Sequence, residues 1–167
     1  AYEIPVGGST ALGALGYVEC FRETMVQCAH LGIRPSRIVS AVGSGGTYAG
    51  LCAGADLYAP DVKVTGVAVD SDPFDRICAQ LKLEIGGLLE LEQPLTAGNI
   101  ELYDNVGPGY GIPGPGERET LELVARTEGI FLDPVYTGKA FSLLLQKLRA
   151  GAWAGDETIV FLHSGGA

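Results

Sequence analysis

The chain has 167 residues, of which 47% are hydrophobic and 19% charged, so it is long enough and apolar enough for one globular core. Its formal charge of −9 argues against nucleic acid or an anionic membrane surface as a partner, because excess carboxylates gain nothing from counterion release. No apolar run is long enough to span a bilayer. The four cysteines lack a Cys-x-x-Cys motif and metal-ligand spacing, so we expect reduced packing thiols, no metal site and a cytoplasmic protein.

Strand and helix patterns alternate along the chain, with glycine-rich turns between them. In chain order we predict a strand (2–6), a helix (12–31), a strand (38–42), a helix (47–58), a buried strand (62–69), a helix capped by Asp72-Pro73 (74–91), a short strand (101–105), two helices (117–128 and 139–149) and a last strand (158–163). This alternation predicts an α/β fold with a mostly parallel sheet flanked by helices. We expect the carboxylates of the 117–128 helix, Glu117 among them, and Lys139 to be solvated.

The segment 38–50 carries the most specific chemistry. An apolar, β-branched strand ends in Gly43, Ser44, Gly45, Gly46 and Thr47, and a helix follows at once. Backbone N–H groups at such a strand end converge with the positive end of the helix, and glycine lets the backbone approach an anion. We therefore predict a cradle for one phosphate. The segment matches neither the P-loop nor G-x-G-x-x-G, so an ordinary strand-to-helix turn is the alternative.

Two further predicted strand ends combine glycine with a hydroxyl. They are Gly7-Gly8-Ser9 and Ser164-Gly165-Gly166. Ligands of open parallel sheets bind outside the carboxyl ends of the strands, so we expect these two turns and the 43–47 turn to meet around one pocket.

Taken in order, these motifs resemble one family. They are Ile4-Pro5-Val6-Gly7-Gly8-Ser9, Leu12-Gly13-Ala14-Leu15-Gly16-Tyr17, Gly43-Ser44-Gly45-Gly46-Thr47, Gly109-Tyr110-Gly111, Leu132-Asp133-Pro134-Val135-Tyr136-Thr137-Gly138-Lys139 and His163-Ser164-Gly165-Gly166. The set resembles the pyridoxal-phosphate enzymes of the D-cysteine desulfhydrase and 1-aminocyclopropane-1-carboxylate deaminase group. The resemblance implies the tryptophan-synthase-β-like fold, pyridoxal-phosphate fold type II. It implies that residues 1–167 form a single incomplete fragment, mainly the larger, cofactor-holding domain.

The resemblance also assigns roles to individual residues. It implies that Gly43, Ser44, Gly45, Gly46 and Thr47 hold the cofactor phosphate. It places the Ser164 hydroxyl beside the pyridine nitrogen, where a neutral group suits elimination chemistry. Thr137 stands where the deaminases present a glutamate, and therefore favours the desulfhydrase branch. Tyr110 and Tyr136 match two substrate-facing tyrosines and are the predicted catalytic residues, because a phenol can position a substrate or move a proton. From the residues alone, packing aromatics remain the alternative for both.

One part of the family's machinery has no counterpart in this chain. The Schiff-base lysine and the serine–asparagine loop for the substrate carboxylate belong to the first half of these enzymes, and none of the four lysines here has a comparable context. The resemblance thus implies a fragment, inactive by itself, of a lyase that converts a small amino acid to pyruvate, sulfide and ammonia with pyridoxal phosphate. The alternatives are a 1-aminocyclopropane-1-carboxylate deaminase fragment, a non-catalytic remnant that binds phosphate or self-associates, and a nucleotide-binding domain. We expect a homo-oligomer, or a partner chain that supplies the missing half.

Overall fold

A computed structural model describes residues 3–153, 155 and 157–165. Its helices are α1 (Ala11–His30), α2 (Gly46–Tyr58), α3 (Phe74–Leu88), α4 (Pro115–Glu128) and α5 (Thr137–Arg149). Its strands are β1 (Arg37–Val42), β2 (Lys63–Ala68), β3 (Glu101–Asp104) and β4 (Ile159–Phe161). Among the described helices, none is long and apolar enough to cross a membrane.

The strands form one sheet in the order β3-β2-β1-β4, and each neighbouring pair is parallel. Ile38 of β1 stands opposite Val64 of β2 and Val160 of β4, which fixes the register of the three strands. Because all four strands run in the same direction, the turns after β1, β2 and β4 reach the same edge of the sheet.

Helices cover both faces of the sheet, in agreement with the burial of every residue of β1 and of all of β2 except Lys63. Ile38 and Val42 of β1 belong to the larger apolar core, with residues of α1, α2 and α3. Val39 and Ala41, which point to the other face, belong to a second core that contains α5 and Trp153. The four cysteines are free, and Cys28, Cys52 and Cys78 are buried, in agreement with packing thiols.

Two glycines let α2 lie directly on α1. A Cβ at Gly50 would collide with the Ala14 carbonyl and would lie 2.7 Å from the Tyr17 Cβ. A Cβ at Gly54 would lie 2.6 Å from the Phe21 Cβ. This close approach fixes the position of α2, and therefore of its N-terminus at the end of β1.

The prediction of a strand over 2–6 is wrong for the residues that the structure describes; residue 2 lies outside them. Residues 3–5 form no regular element, and Val6–Gly8 forms a single 3-10 turn with Gly7 at φ 70°. The side chains of Ile4 and Val6 are 74% and 92% exposed. A strand of this apolar pattern needs a partner strand and a covered face, and β1 already pairs with β2 and β4 on its two sides.

Two buried charges contradict the sequence predictions. Lys139 was expected in solvent, but its side chain is fully buried in the first turn of α5. Glu117, expected on a solvated helix face, is 5% exposed. Both charges lie beneath the 106–114 segment: Lys139 Nζ donates to its carbonyls, and a Cβ at Gly114 would lie 2.5 Å from Glu117 Oε2. Helical periodicity carries no information about a loop that folds over a helix.

Candidate functional site

A cleft of about 510 Å³ opens at the carboxyl edge of the sheet, beside the end of β1. Seven of the nine residues predicted for the site line it: Gly43, Ser44, Gly45, Thr47, Tyr110, Tyr136 and Ser164. These residues come from four parts of the chain that are far apart in sequence. The structure therefore brings together the 43–47 turn, both tyrosines and the turn after β4.

The wall formed by the 43–47 turn has the geometry of an anion site. Gly45 is the N-cap residue of α2 and has a left-handed backbone, with φ 93°. A Cβ there would lie 3.1 Å from Ile77 Cγ2 and 3.2 Å from Cys78 Sγ, so a side chain is strained in both conformation and space. The first N–H groups of α2 have no carbonyl partner within the helix and lie at its positive end. Together with the hydroxyls of Ser44 and Thr47 they suit a phosphate.

The Gly7-Gly8-Ser9 turn contacts the 43–47 turn directly. Gly46 donates its N–H to Ser9 Oγ over 3.2 Å, and Ser9 Oγ donates to Ser44 Oγ over 2.7 Å. Gly46 itself does not line the cleft. A Cβ on Gly7 would collide with the Ser44 hydroxyl, which shows how closely the two turns meet. The two turns therefore form one continuous wall.

The two tyrosines form a second wall of the cleft, which meets the 43–47 turn at Gly43. Their rings meet edge to face, with centroids 6.0 Å apart and planes at 72°, and their hydroxyls form a hydrogen bond with each other. The hydrogen bond to Tyr110, with burial as the second cause, raises the pKa of Tyr136 to about 12. Tyr136 is thus a neutral phenol at neutral pH, able to hold or donate a proton at its Oη.

Asp133 holds the backbone that carries Tyr136. Its carboxylate accepts the N–H groups of Val135, Tyr136 and Thr137 over 2.8, 2.6 and 2.8 Å. Burial raises the pKa of Asp133, but the hydrogen bonds from Thr137, Tyr136 and Val135 outweigh that effect and leave the pKa below its usual value. An ionised carboxylate therefore caps the start of α5. Sequence reasoning missed this role because Asp133 lies four residues before Thr137, the first residue of α5. A capping side chain usually belongs to the residue directly before the helix.

Thr137 does not line the cleft. Its side chain is buried, and Oγ1 donates to Asp133 Oδ2 over 2.6 Å while it accepts the Asp133 N–H over 2.9 Å. The structure thus gives the Thr137 hydroxyl a place in the cap of α5. The predicted role of Thr137 at the cofactor stays a prediction.

The turn after β4 supplies Ser164, an exposed residue that lines the cleft. Gly165 follows it, whereas Gly166 of the predicted motif lies outside the described residues. His163 is exposed, and its Nε2 forms a 3.0 Å hydrogen bond with the Phe131 carbonyl. The Ser164 hydroxyl is therefore the group that this turn presents to the cleft.

Two carboxylates in the cleft were not predicted. Asp70 and Asp72 follow β2 and line the same cavity. The signal was present in the sequence, because Asp70 directly follows the predicted strand over 62–69. Their negative charge restricts the attraction for an anion to the 43–47 turn.

All four lysines lie in the described part of the chain, and none of them lines the cleft. Lys82 forms a 2.6 Å ion pair with Asp56. Lys139 Nζ is held by backbone carbonyls, and Lys147 Nζ lies 3.9 Å from the centre of the Tyr103 ring. Lys63 is exposed at the start of β2, at the opposite edge of the sheet. Within the described residues, no lysine therefore presents an amine nucleophile to the cleft.

Comparison with known proteins identifies the family of this chain. The family model described as "Pyridoxal-phosphate dependent enzyme" matches residues 1–165. The D-cysteine desulfhydrases of Salmonella paratyphi C and Salmonella choleraesuis are each 42% identical to this chain over 167 residues, which is 99% of this chain and 50% of each relative. The chain thus spans about half the length of these curated relatives.

Solved structures show the same fold. The structure of an ACC deaminase homologue matches with a TM-score of 0.87 and 36% identity, over 97% of this chain and 48% of that one. Threonine deaminase isoform 2 from Solanum lycopersicum is similar in fold, with a TM-score of 0.59 and 16% identity, over 93% and 44% of the two chains. The α/β architecture predicted from the sequence, with its parallel sheet of fold type II, is confirmed.

Proposed function

The chain belongs to the family of pyridoxal-phosphate-dependent enzymes, and we propose that it forms the cofactor-holding part of a lyase that acts as a D-cysteine desulfhydrase. The observation that carries the proposal is the meeting of the 43–47 turn, Ser164 and the tyrosine pair in one cleft. The desulfhydrase relatives, at 42% identity, support the choice of reaction. The cofactor supplies the electron sink that stabilises negative charge at the substrate Cα.

The residues present fit pyridoxal phosphate. The volume of about 510 Å³ lies within the usual range for cofactor pockets. The phosphate would be held by the hydroxyls of Ser44 and Thr47 and by the N–H groups at the start of α2 other than that of Gly46, which Ser9 Oγ accepts. Like Gly45, position 43 requires glycine, because a Cβ there would lie 2.6 Å from Cε1 of Tyr136. The Ser164 hydroxyl would be the group beside the ring nitrogen, and a neutral hydroxyl there would leave that nitrogen largely unprotonated.

The two phenols act on the substrate side of the cleft. Tyr136 keeps its proton at neutral pH because its pKa is raised to about 12. It therefore donates a hydrogen bond to the substrate, and Tyr110 orients it through the shared hydroxyl contact. Removal of the Tyr136 hydroxyl is expected to lower the rate by about 10²–10⁴-fold, the usual contribution of a positioned proton donor.

The complete enzyme needs groups that this chain does not present to the cleft. We propose that the lysine which binds the cofactor comes from a further segment of the protein or from a partner chain, and that residues 1–167 form most of the larger domain. The whole protein is then a cytoplasmic homo-oligomer, or a complex with a chain that supplies the other half. Its substrate is D-cysteine, which with one water yields pyruvate, sulfide and ammonia.

The experiment that tests the proposal is a product assay on the full-length gene product that contains this chain. Sulfide and pyruvate in equal amounts are expected from D-cysteine, together with a loss of activity in Tyr136→Phe. Ser44→Ala combined with Thr47→Val is expected to weaken cofactor binding, whereas Gly16→Ala, on the exposed face of α1, serves as the matched control. Production of 2-oxobutyrate from 1-aminocyclopropane-1-carboxylate would identify the deaminase alternative. Phosphate binding with neither activity would identify the non-catalytic remnant.

A further inference from the structure

A fully buried lysine lies next to the tyrosine pair and has no place in the proposed chemistry. Lys139 is 0% exposed, in the first turn of α5. Its Nζ donates to the carbonyl oxygens of Val106 and Gly109, the latter over 2.7 Å. Among the ion pairs of the described residues, none includes Lys139. A buried ammonium is costly, so these carbonyls are its principal compensation.

The segment that Lys139 holds has no regular secondary structure, and its own backbone hydrogen bonds are two turn contacts, Gly109 N–H to the Val106 carbonyl over 3.3 Å and Ile112 N–H to the Gly109 carbonyl over 3.2 Å. Residues 107–113 form neither helix nor strand, and Gly107, Gly109 and Gly111 have φ values of 62°, 149° and 74°. Tyr110, in the middle of the segment, is 51% exposed. Glycine-rich backbone of this kind has many accessible conformations, so a fixed position for Tyr110 requires external contacts.

The main chain of α5 provides a second contact at the start of the same segment. Asn105 Nδ2 donates to the Lys139 carbonyl oxygen over 2.8 Å. The side chain and the backbone of one residue therefore hold residues 105–109. Lys139 is only three residues after Tyr136, so the same helical turn carries one phenol and holds the loop of the other.

We propose that Lys139 is a positioning residue: its ammonium clamps the 106–109 backbone so that Tyr110 stands against Tyr136 at the cleft. The use of the tyrosine pair in catalysis rests on the proposed function. The clamp itself rests on the contacts of Lys139 alone. Lys139 acts through Tyr110 and is assigned no contact with substrate or cofactor.

The test replaces Lys139 by methionine, which has a similar length and no donors, and uses Lys147→Met on the same helix as the matched control. Tyrosine labelled with ¹³C at Cζ reports the titration of each phenol by NMR, with Tyr110→Phe and Tyr136→Phe for assignment. In the unmodified chain and in Lys147→Met, Tyr136 is expected to stay neutral up to about pH 11. In Lys139→Met it is expected to titrate nearer the usual phenol value, about 10, because Tyr110 no longer holds it.

Amide hydrogen exchange provides the second readout. The loss of a charge-assisted hydrogen bond corresponds to about a tenfold increase in local opening. We expect the amides of residues 106–112 to exchange about tenfold faster in Lys139→Met, while those of 141–148 in α5 keep their rates. A merely structural role would lower the thermal midpoint and leave both the Tyr136 titration and the loop exchange as in Lys147→Met. That outcome would overturn the proposal.

A measurement without substitution covers the case in which Lys139→Met does not fold. In the ¹⁵N-labelled parent chain, the Lys139 ammonium is expected to give a slowly exchanging signal coupled to the carbonyl carbons of Val106 and Gly109. Exchange as fast as that of the exposed Lys63 would refute the clamp. None of these readouts needs cofactor or activity. A full-length protein without desulfhydrase activity would therefore refute the proposed function and leave the clamp to be decided by NMR.

Discussion

The crossing of α1 and α2 predicts opposite effects for the same substitution on the two helices. Gly50→Ala and Gly16→Ala each replace a helical glycine and gain about 1 kcal/mol of helix propensity. At Gly16 an added Cβ has no heavy atom within 4 Å. At Gly50 it would collide with the Ala14 carbonyl oxygen and would lie 2.7 Å from the Tyr17 Cβ. Only Gly50→Ala must therefore push the two helices apart.

The magnitudes follow from these distances. Overpacking a core costs about 1–3 kcal/mol, and Gly50 falls at the upper end because the nearest atom is backbone and cannot rotate away. The net effect of Gly50→Ala is then a loss of about 2 kcal/mol, against a gain of about 1 kcal/mol for Gly16→Ala. For a chain of this length the thermal midpoints are expected to fall by about 4–8 °C and to rise by about 2–4 °C.

Thermal and urea unfolding of the parent chain and the two variants, followed by circular dichroism, measure these differences. Phosphate binding provides a functional readout, because the crossing sets the position of the α2 N-terminus. Gly50→Ala is expected to weaken phosphate binding, and Gly16→Ala is expected to leave it unchanged. A Gly50→Ala chain as stable as the parent, or equal losses in the two variants, would show that the close helix approach does not hold the cradle in place.

Three further outcomes are expected. Asp133→Ala should lower stability by about 2 kcal/mol at pH 7, because it removes a charged cap; since the folded-state pKa of Asp133 is depressed, the deficit should shrink in urea titrations as the pH falls below about 4. Burial raises the pKa values of Cys52 and Cys78 to about 12 each, so both thiols should resist a thiol reagent at neutral pH until the chain is unfolded, and rapid labelling of either in the native chain would contradict this. Lys82→Met should lower stability by about 3–5 kcal/mol, because it leaves Asp56 without its 2.6 Å partner, and the double variant with Asp56→Leu should recover much of that loss in the same assay.

The sequence predicted most helices and strands because their apolar periodicity reflects real burial. The run 38–42 is apolar except for Ser40, and β1 is buried on both faces. The run 2–6 looks similar but forms no strand where the structure describes it. The two runs differ in their tertiary contacts. β1 has a strand on each side, whereas Ile4 and Val6 have neither a partner strand nor a covered face. A short local pattern contains neither kind of information.

The glycine pair in α1 shows a similar division. Glycines 13 and 16 should weaken a helix unless something approaches its backbone. The structure supplies a reason for one of them, since a Cβ at Gly13 would collide with the Gly8 carbonyl. Gly16 faces open space, and nothing in the structure explains it. Sequence alone cannot distinguish Gly13 from Gly16, because the atom that approaches Gly13 is the carbonyl oxygen of Gly8, in the turn before α1.

The candidate site was predictable where it depends on topology and unpredictable where it depends on charge burial. Carboxyl ends of parallel strands meet at one edge, so Ser44 and Ser164 were expected in one pocket, and both line it. The sequence predicts Lys139 in solvent because it lies early in a helix whose pattern indicates partial exposure. Its partners are carbonyls about 30 residues earlier in the chain, and carbonyls leave no signature in a sequence because every residue has one.

The two walls of the cleft approach it from opposite faces of the sheet, and Gly43 is the point where they meet. The wall formed by the 43–47 turn leads into α2, which packs with α1 and α3 on one face of the sheet, whereas Tyr136 precedes α5, which packs on the other. A Cβ at Gly43 would lie 2.6 Å from the Tyr136 ring, so the phenol rests on bare backbone at the end of β1. The turn that we propose as the anion cradle therefore also determines how near the Tyr136 phenol stands to that site. This coupling explains why glycine is needed at position 43, where no positive φ requires it.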